Sequence, residues 1–194
     1  MNIGIYIYDQ AEVLDFSGPF EVFSTASRIF EHGDPFNVFM VSERGGQIEA
    51  RGGYEVCAKY GFADHPPIDV LVVVGGVHTD EMEKSNVISW IAEQADAASL
   101  VASVCTGAFL LAQAKVIDTH KVTTHWQDID ELKVLFPELN VVEGVRWVDQ
   151  GDLITSGGIS AGIDMSLHMV SRLQDEELAV RTAKQMEFVW TKNS

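Results

Sequence analysis

Cys105 stands in Ser103-Val104-Cys105-Thr106-Gly107, between an aliphatic run, LVASV, and a helical AFLLAQA. A sharp turn from strand to helix presents a nucleophile above a sheet, the geometry of a nucleophile elbow. The start of a helix favours the thiolate over the thiol, because the macrodipole and free N–H groups stabilise negative charge. The N–H of Thr106 points into the same space. With the amides of Gly75 and Gly76 it is expected to bind a developing negative charge, as an oxyanion hole does. A lone cysteine is also commonly a small buried hydrophobe, and position by itself leaves both readings open. Cys57 lies in an alternating hairpin with no base or helix start beside it, and reads as structural.

Asp15 sits in Val13-Leu14-Asp15-Phe16, apolar surroundings in which a carboxylate is expensive to bury without a partner. It is a candidate general acid or base for bonds that form and break at Cys105. The competing reading is a carboxylate placed at a helix N-terminus for stability. His125, in Thr123-Thr124-His125-Trp126, follows a short strand and is a candidate to polarise the thiol or orient a substrate. A histidine satisfied at a strand end is the commoner case. The other five histidines show no HxH or HExxH spacing, so no metal is expected. Neither GxGxxG nor a P-loop is present, so nucleotide binding has no support. Gly157-Gly158 with Ser160-Ala161-Gly162 marks either a loop on the floor of the site or a tight strand-to-helix turn.

The elements that must hold these residues are readable from periodicity. IGIYIY opens the chain as a buried strand, and DFSGPFEVFSTASRIF predicts a helix with Ser17 as N-cap and Pro19 in its first turn. FNVFMVS is a second strand, and residues 47–61 form a hairpin at a sheet edge around Gly52-Gly53. VLVVVGG is the clearest buried strand, followed by one helix over residues 80–98; LVASV is the next strand. Further on come a short strand at VTTHW, a helix over 127–136 and a two-strand section over 145–155, then helices over 159–173 and 176–188. Aliphatic strands alternating with helices mean a doubly wound α/β domain, a mostly parallel sheet covered on both faces. Ligands of such folds sit beyond the carboxyl ends of the strands, where Asp15, Gly75-Gly76 and Cys105 fall.

Composition narrows the chemistry. The 194 residues, 46% hydrophobic and without repeats or linkers, are read as a single domain over 1–194. Thirteen Lys and Arg against 29 Asp and Glu leave a net charge of -16, which repels phosphate backbones and anionic lipid. No nucleic-acid or membrane partner is expected. Two cysteines, no signal-peptide pattern and no long apolar run read as a cytoplasmic, reduced protein.

Five motifs occur in the order found in the ThiJ/PfpI superfamily: Leu14-Asp15-Phe16-Ser17-Gly18-Pro19, Gly75-Gly76, Ser103-Val104-Cys105-Thr106-Gly107, Thr123-Thr124-His125-Trp126 and Thr155 to Asp164. The chain most resembles the branch that contains isonitrile hydratase and the amidotransferase-like N-terminal domains of AraC-type regulators. That resemblance implies a flavodoxin-like three-layer sandwich, a homodimer, a small-molecule substrate and no cofactor. It implies Cys105 as nucleophile, Asp15 as proton donor or activator of water, and Thr106 as the residue that positions them. The reaction implied is addition of water to an isonitrile to give an N-substituted formamide. The alternative it leaves is a small-molecule or redox sensor without turnover, although the chain carries no basic DNA-reading region before Ser194. Peptidase and deglycase branches place histidine after the cysteine, where Thr106 stands here, so protease chemistry is not expected. Val74 replaces the proline that many relatives carry before the glycine pair.

Overall fold

The computed structural model describes residues 1–193. Eight strands form one sheet in the spatial order β3 (Arg44–Ala50), β4 (Tyr54–Gly61), β2 (Asn37–Val41), β1 (Asn2–Tyr6), β5 (Val70–Val73), β6 (Leu100–Val104), β10 (Leu153–Ser156) and β9 (Trp147–Asp149). Neighbours run parallel except β3 with β4 and β10 with β9. A separate two-stranded sheet joins β7 (Lys121–Val122) and β8 (Asn140–Val141). The central strands β5 and β6 are unbroken aliphatic runs with every residue buried, as strands covered on both faces must be.

Chain order reverses around β1: the path leads from β1 to β2 on one side and returns to β5 on the other. Right-handed crossovers in opposite directions put helices on opposite faces. One layer holds α1 (Val13–Ile29), α6 (Ala161–Leu173) and α7 (Glu176–Gln185); the other holds α2 (Thr79–Met82), α3 (Ser85–Ala97) and α4 (Gly107–Gln113). A seventh helix, α5 (Ile129–Leu135), packs on β8. The result is the three-layer sandwich that the strand pattern and the resemblance imply. Among the described residues no helix is long and apolar enough to cross a membrane.

Two helix boundaries differ from expectation. Ser17 is not an N-cap: α1 begins at Val13 after Glu12, and the Ser17 hydroxyl donates back to the Val13 carbonyl at 2.7 Å. The earlier start lets Phe16, Pro19, Val22, Phe23 and Ala26 share one buried face. Pro19 therefore lies inside the helix and leaves the Asp15 carbonyl without its usual N–H donor. The helix expected over 80–98 is two helices, because Lys84 is extended (φ -80°, ψ 98°) between α2 and α3.

Candidate active site

The crevice at the reversal of strand order gathers the residues singled out above. Cys105 follows β6 directly, at φ 55°. That left-handed conformation costs a non-glycine residue about 1 kcal/mol or more, so the surroundings must impose it. They do so through the backbone: the Cys105 N–H donates to the carbonyls of Ser156 and Gly157 at 3.2 and 3.3 Å, and its carbonyl accepts the Thr124 hydroxyl at 2.8 Å. The elbow is built by three segments that are remote in sequence.

Asp15, in the first turn of α1, is fully buried. Its Oδ2 accepts the Gly75 N–H at 3.1 Å. Gly75 is required by crowding, since a Cβ there would stand 2.6 Å from the Thr106 nitrogen and 2.8 Å from Asp15 Oδ2. The Thr106 hydroxyl accepts the Gly76 N–H at 3.0 Å and donates to the Gly76 carbonyl at 3.1 Å. Gly76, at φ 145°, adopts a conformation open to glycine alone. The Gly75 and Gly76 amides, expected to face a bound oxyanion, are thus spent inside the protein, holding Asp15 and Thr106.

Electrostatics reverses one expectation. Burial, reinforced by the facing Asp15, pushes the Cys105 thiol well above its ordinary range, and the Thr106 N–H offsets only part of this. Burial also raises Asp15 from 3.8 to about 7, against the Gly75 and Ile159 N–H groups and the Cys105 contact, which favour the carboxylate. At neutral pH a carboxyl near its midpoint faces a protonated thiol.

A cavity of about 350 Å³ opens over Cys105 and Thr106. His125 lines it, with Nδ1 3.1 Å from Asp128 Oδ2. Gly158 approaches both the His125 ring and Cys105: a Cβ there would be 3.3 Å from Sγ. Next to it Ile159 stands at φ 56° and lines the cavity. The structure therefore brings together Cys105, Asp15, Thr106, Gly75, Gly76 and His125. Sequence reasoning missed Asp128 and the Glu12–Arg51 ion pair (3.4 Å) at the cavity wall. Asp128 is legible as a carboxylate three residues after His125; Arg51 reaches the site only by the fold of the β3–β4 hairpin. Cys57 is exposed on that hairpin, not buried as a small hydrophobe. Among the described residues no cluster of His, Cys, Asp and Glu is arranged to hold a metal ion.

The DJ-1/PfpI family model matches residues 1–172. Isonitrile hydratase from Pseudomonas putida is 30% identical over 190 residues, 97% of this chain and 78% of that protein. The HTH-type transcriptional regulator CdhR from Pseudomonas aeruginosa is 27% identical over 173 residues, 89% of this chain but only 51% of the regulator. A ThiJ/PfpI family protein from Pseudomonas syringae superposes with a TM-score of 0.86 at 23% identity, covering 98% of this chain and 76% of that one. Drosophila melanogaster DJ-1beta gives 0.81 at 20% identity, covering 97% and 98%. With nearly nine-tenths of its length matched, the chain belongs to the DJ-1/PfpI family.

Proposed function

We propose that the protein is a cysteine-dependent hydratase of small isonitriles. The observation that carries the reading is the Asp15–Cys105 pair: a buried carboxyl raised to about 7 facing a thiol that burial keeps protonated. Isonitriles carry no carbonyl to polarise; their terminal carbon must gain both a nucleophile and a proton. A protonated thiol beside a carboxyl matched to neutral pH supplies both. Asp15 takes the thiol proton as Sγ bonds to the terminal carbon, then delivers it to that carbon, giving a thioimidate. Water attacks the same carbon, and one of its protons passes through Asp15 to nitrogen. Collapse breaks the Sγ–C bond, returns the second water proton to sulfur and releases the N-substituted formamide. In this scheme Gly75 and Gly76 are positioning groups, and the Thr106 and Ile159 N–H groups are the donors that face the reacting pair. The 30% identity to an isonitrile hydratase supports the same chemistry. Acid-quenched mass spectrometry tests it: an adduct of one isonitrile mass is expected on the Cys105 peptide, and none on the exposed Cys57.

A second reading, a sensor domain without turnover, is favoured by the similarity to regulators. A redox form of it requires a reactive thiol at Cys105, as the enzyme reading also does. Selective conversion of Cys105 to the sulfinic acid by peroxide, together with no turnover of any isonitrile, would favour the sensor.

A further inference from the structure

A second cavity, of about 640 Å³, adjoins the one over Cys105, and the two share His78 and Thr79 as a common sill. Its apolar side is Met82, Ile88 and Leu135; its charged side is Glu83 and Glu131, and no lysine or arginine lines it. His78 is nearly buried on this sill, with its ring 4.3 Å from that of Phe109. Its Nε2 is buried without a partner among the described residues. Burial lowers the His78 pKa, so the ring adds no positive charge to the sill.

We propose that this annex receives the substituent of the molecule that reacts at Cys105, and that it accepts neutral or cationic apolar chains and rejects carboxylates. The inference rests on the proposed reaction only for the identity of that molecule. A substrate joined to Sγ by its terminal carbon projects the rest of itself out of the chamber, and the annex is the larger space that shares the chamber's wall. Its aliphatic side fits a chain of several methylenes. Two carboxylates without a basic neighbour in the lining, on a protein of net charge -16, repel an anionic tail.

The test needs no turnover. Cys105, whose proton the mostly ionised Asp15 takes at pH 8 as it does in the proposed reaction, is labelled with maleimides carrying a hexyl, a 6-trimethylammoniohexyl or a 5-carboxypentyl chain, and rates are read by mass spectrometry. Exposed Cys57 in the same molecule is the reference thiol. The Cys105-to-Cys57 rate ratio is expected to be about fivefold lower for the carboxylate than for the hexyl chain, equivalent to ~1 kcal/mol. Glu83→Lys with Glu131→Lys, both at exposed positions, should abolish that discrimination. His78→Ala, which lowers the sill, should raise the hexyl ratio relative to N-methylmaleimide. Equal ratios for all three chains in the wild type, or discrimination unchanged in the charge-reversed protein, would overturn the proposal. Charge selection without hydration of any isonitrile would refute the proposed reaction and leave the annex standing; hydration with uniform labelling would do the opposite.

Discussion

Replacing Asp15 with asparagine separates the chemical role of the carboxyl from the stability it costs. In the unfolded chain this group ionises near 3.8, in the folded protein near 7. Between those values the native state binds the extra proton, so stability falls as pH rises through the window and the loss is complete above about 7. At about 1.36 kcal/mol per tenfold in proton affinity, the fully buried group accounts for about 4 kcal/mol. The introduced amide never ionises and has no such slope, but its N–H groups lack acceptors, a pH-independent cost of about 1–3 kcal/mol. The variant is therefore expected to be less stable than the wild type at pH 4 and more stable at pH 8. Urea denaturation at the two pH values reads the difference, and the midpoint shifts must change sign between them. Turnover of an isonitrile should fall by about 10²- to 10⁴-fold in the variant, the usual worth of a positioned acid–base group. In the wild type kcat/KM should rise with pH through about 7 as Asp15 ionises. A stability difference independent of pH, or full activity in Asp15→Asn, would refute the reasoning.

Thr106→Val removes both hydrogen bonds to Gly76 and leaves its N–H unpaired. Stability should drop by about 1–3 kcal/mol in denaturant titration, and the Gly75 loop that fixes Asp15 should loosen, lowering kcat more than it raises KM. Arg146→Ala strands the fully buried Asp164, whose Oδ2 accepts from Arg146 Nε at 2.6 Å and whose Oδ1 accepts the Thr191 N–H at 2.7 Å. A loss of about 3–5 kcal/mol, read as a fall in Tm of about 10 °C by calorimetry, is expected. The resemblance also implies a homodimer, so light scattering should give twice the 21.4 kDa chain mass, and a single monomeric peak would contradict it.

Much of the fold is legible in the sequence because its signals are local. Five aliphatics before Gly75-Gly76 and the LVASV run are buried strands, and the section over 145–155 pairs as two antiparallel strands joined through Gln150-Gly151. What the residues do not disclose depends on tertiary partners. Ser17 looks like a cap, yet burial of Phe16 decides where α1 starts. β8 escapes notice because two residues with one buried side chain carry no period. The glycine amides look free for a ligand because their acceptors, Asp15 and Thr106, lie 60 and 30 residues away. The thiol looks ready to ionise from its place at a helix start; α4 is one short helix, while burial and the Asp15 charge both act against ionisation. Helix position is local and readable, and desolvation is not.

Hydration of an isonitrile by Cys105, served by Asp15, has one direct readout. Formamide production from a simple alkyl isonitrile, followed by chromatography for the wild type beside Cys105→Ala, tests it most directly. Steady turnover by the wild type and none above the uncatalysed rate by the variant is the predicted result. Equal formamide from both proteins, or none from the wild type across short alkyl and aryl isonitriles, would contradict it.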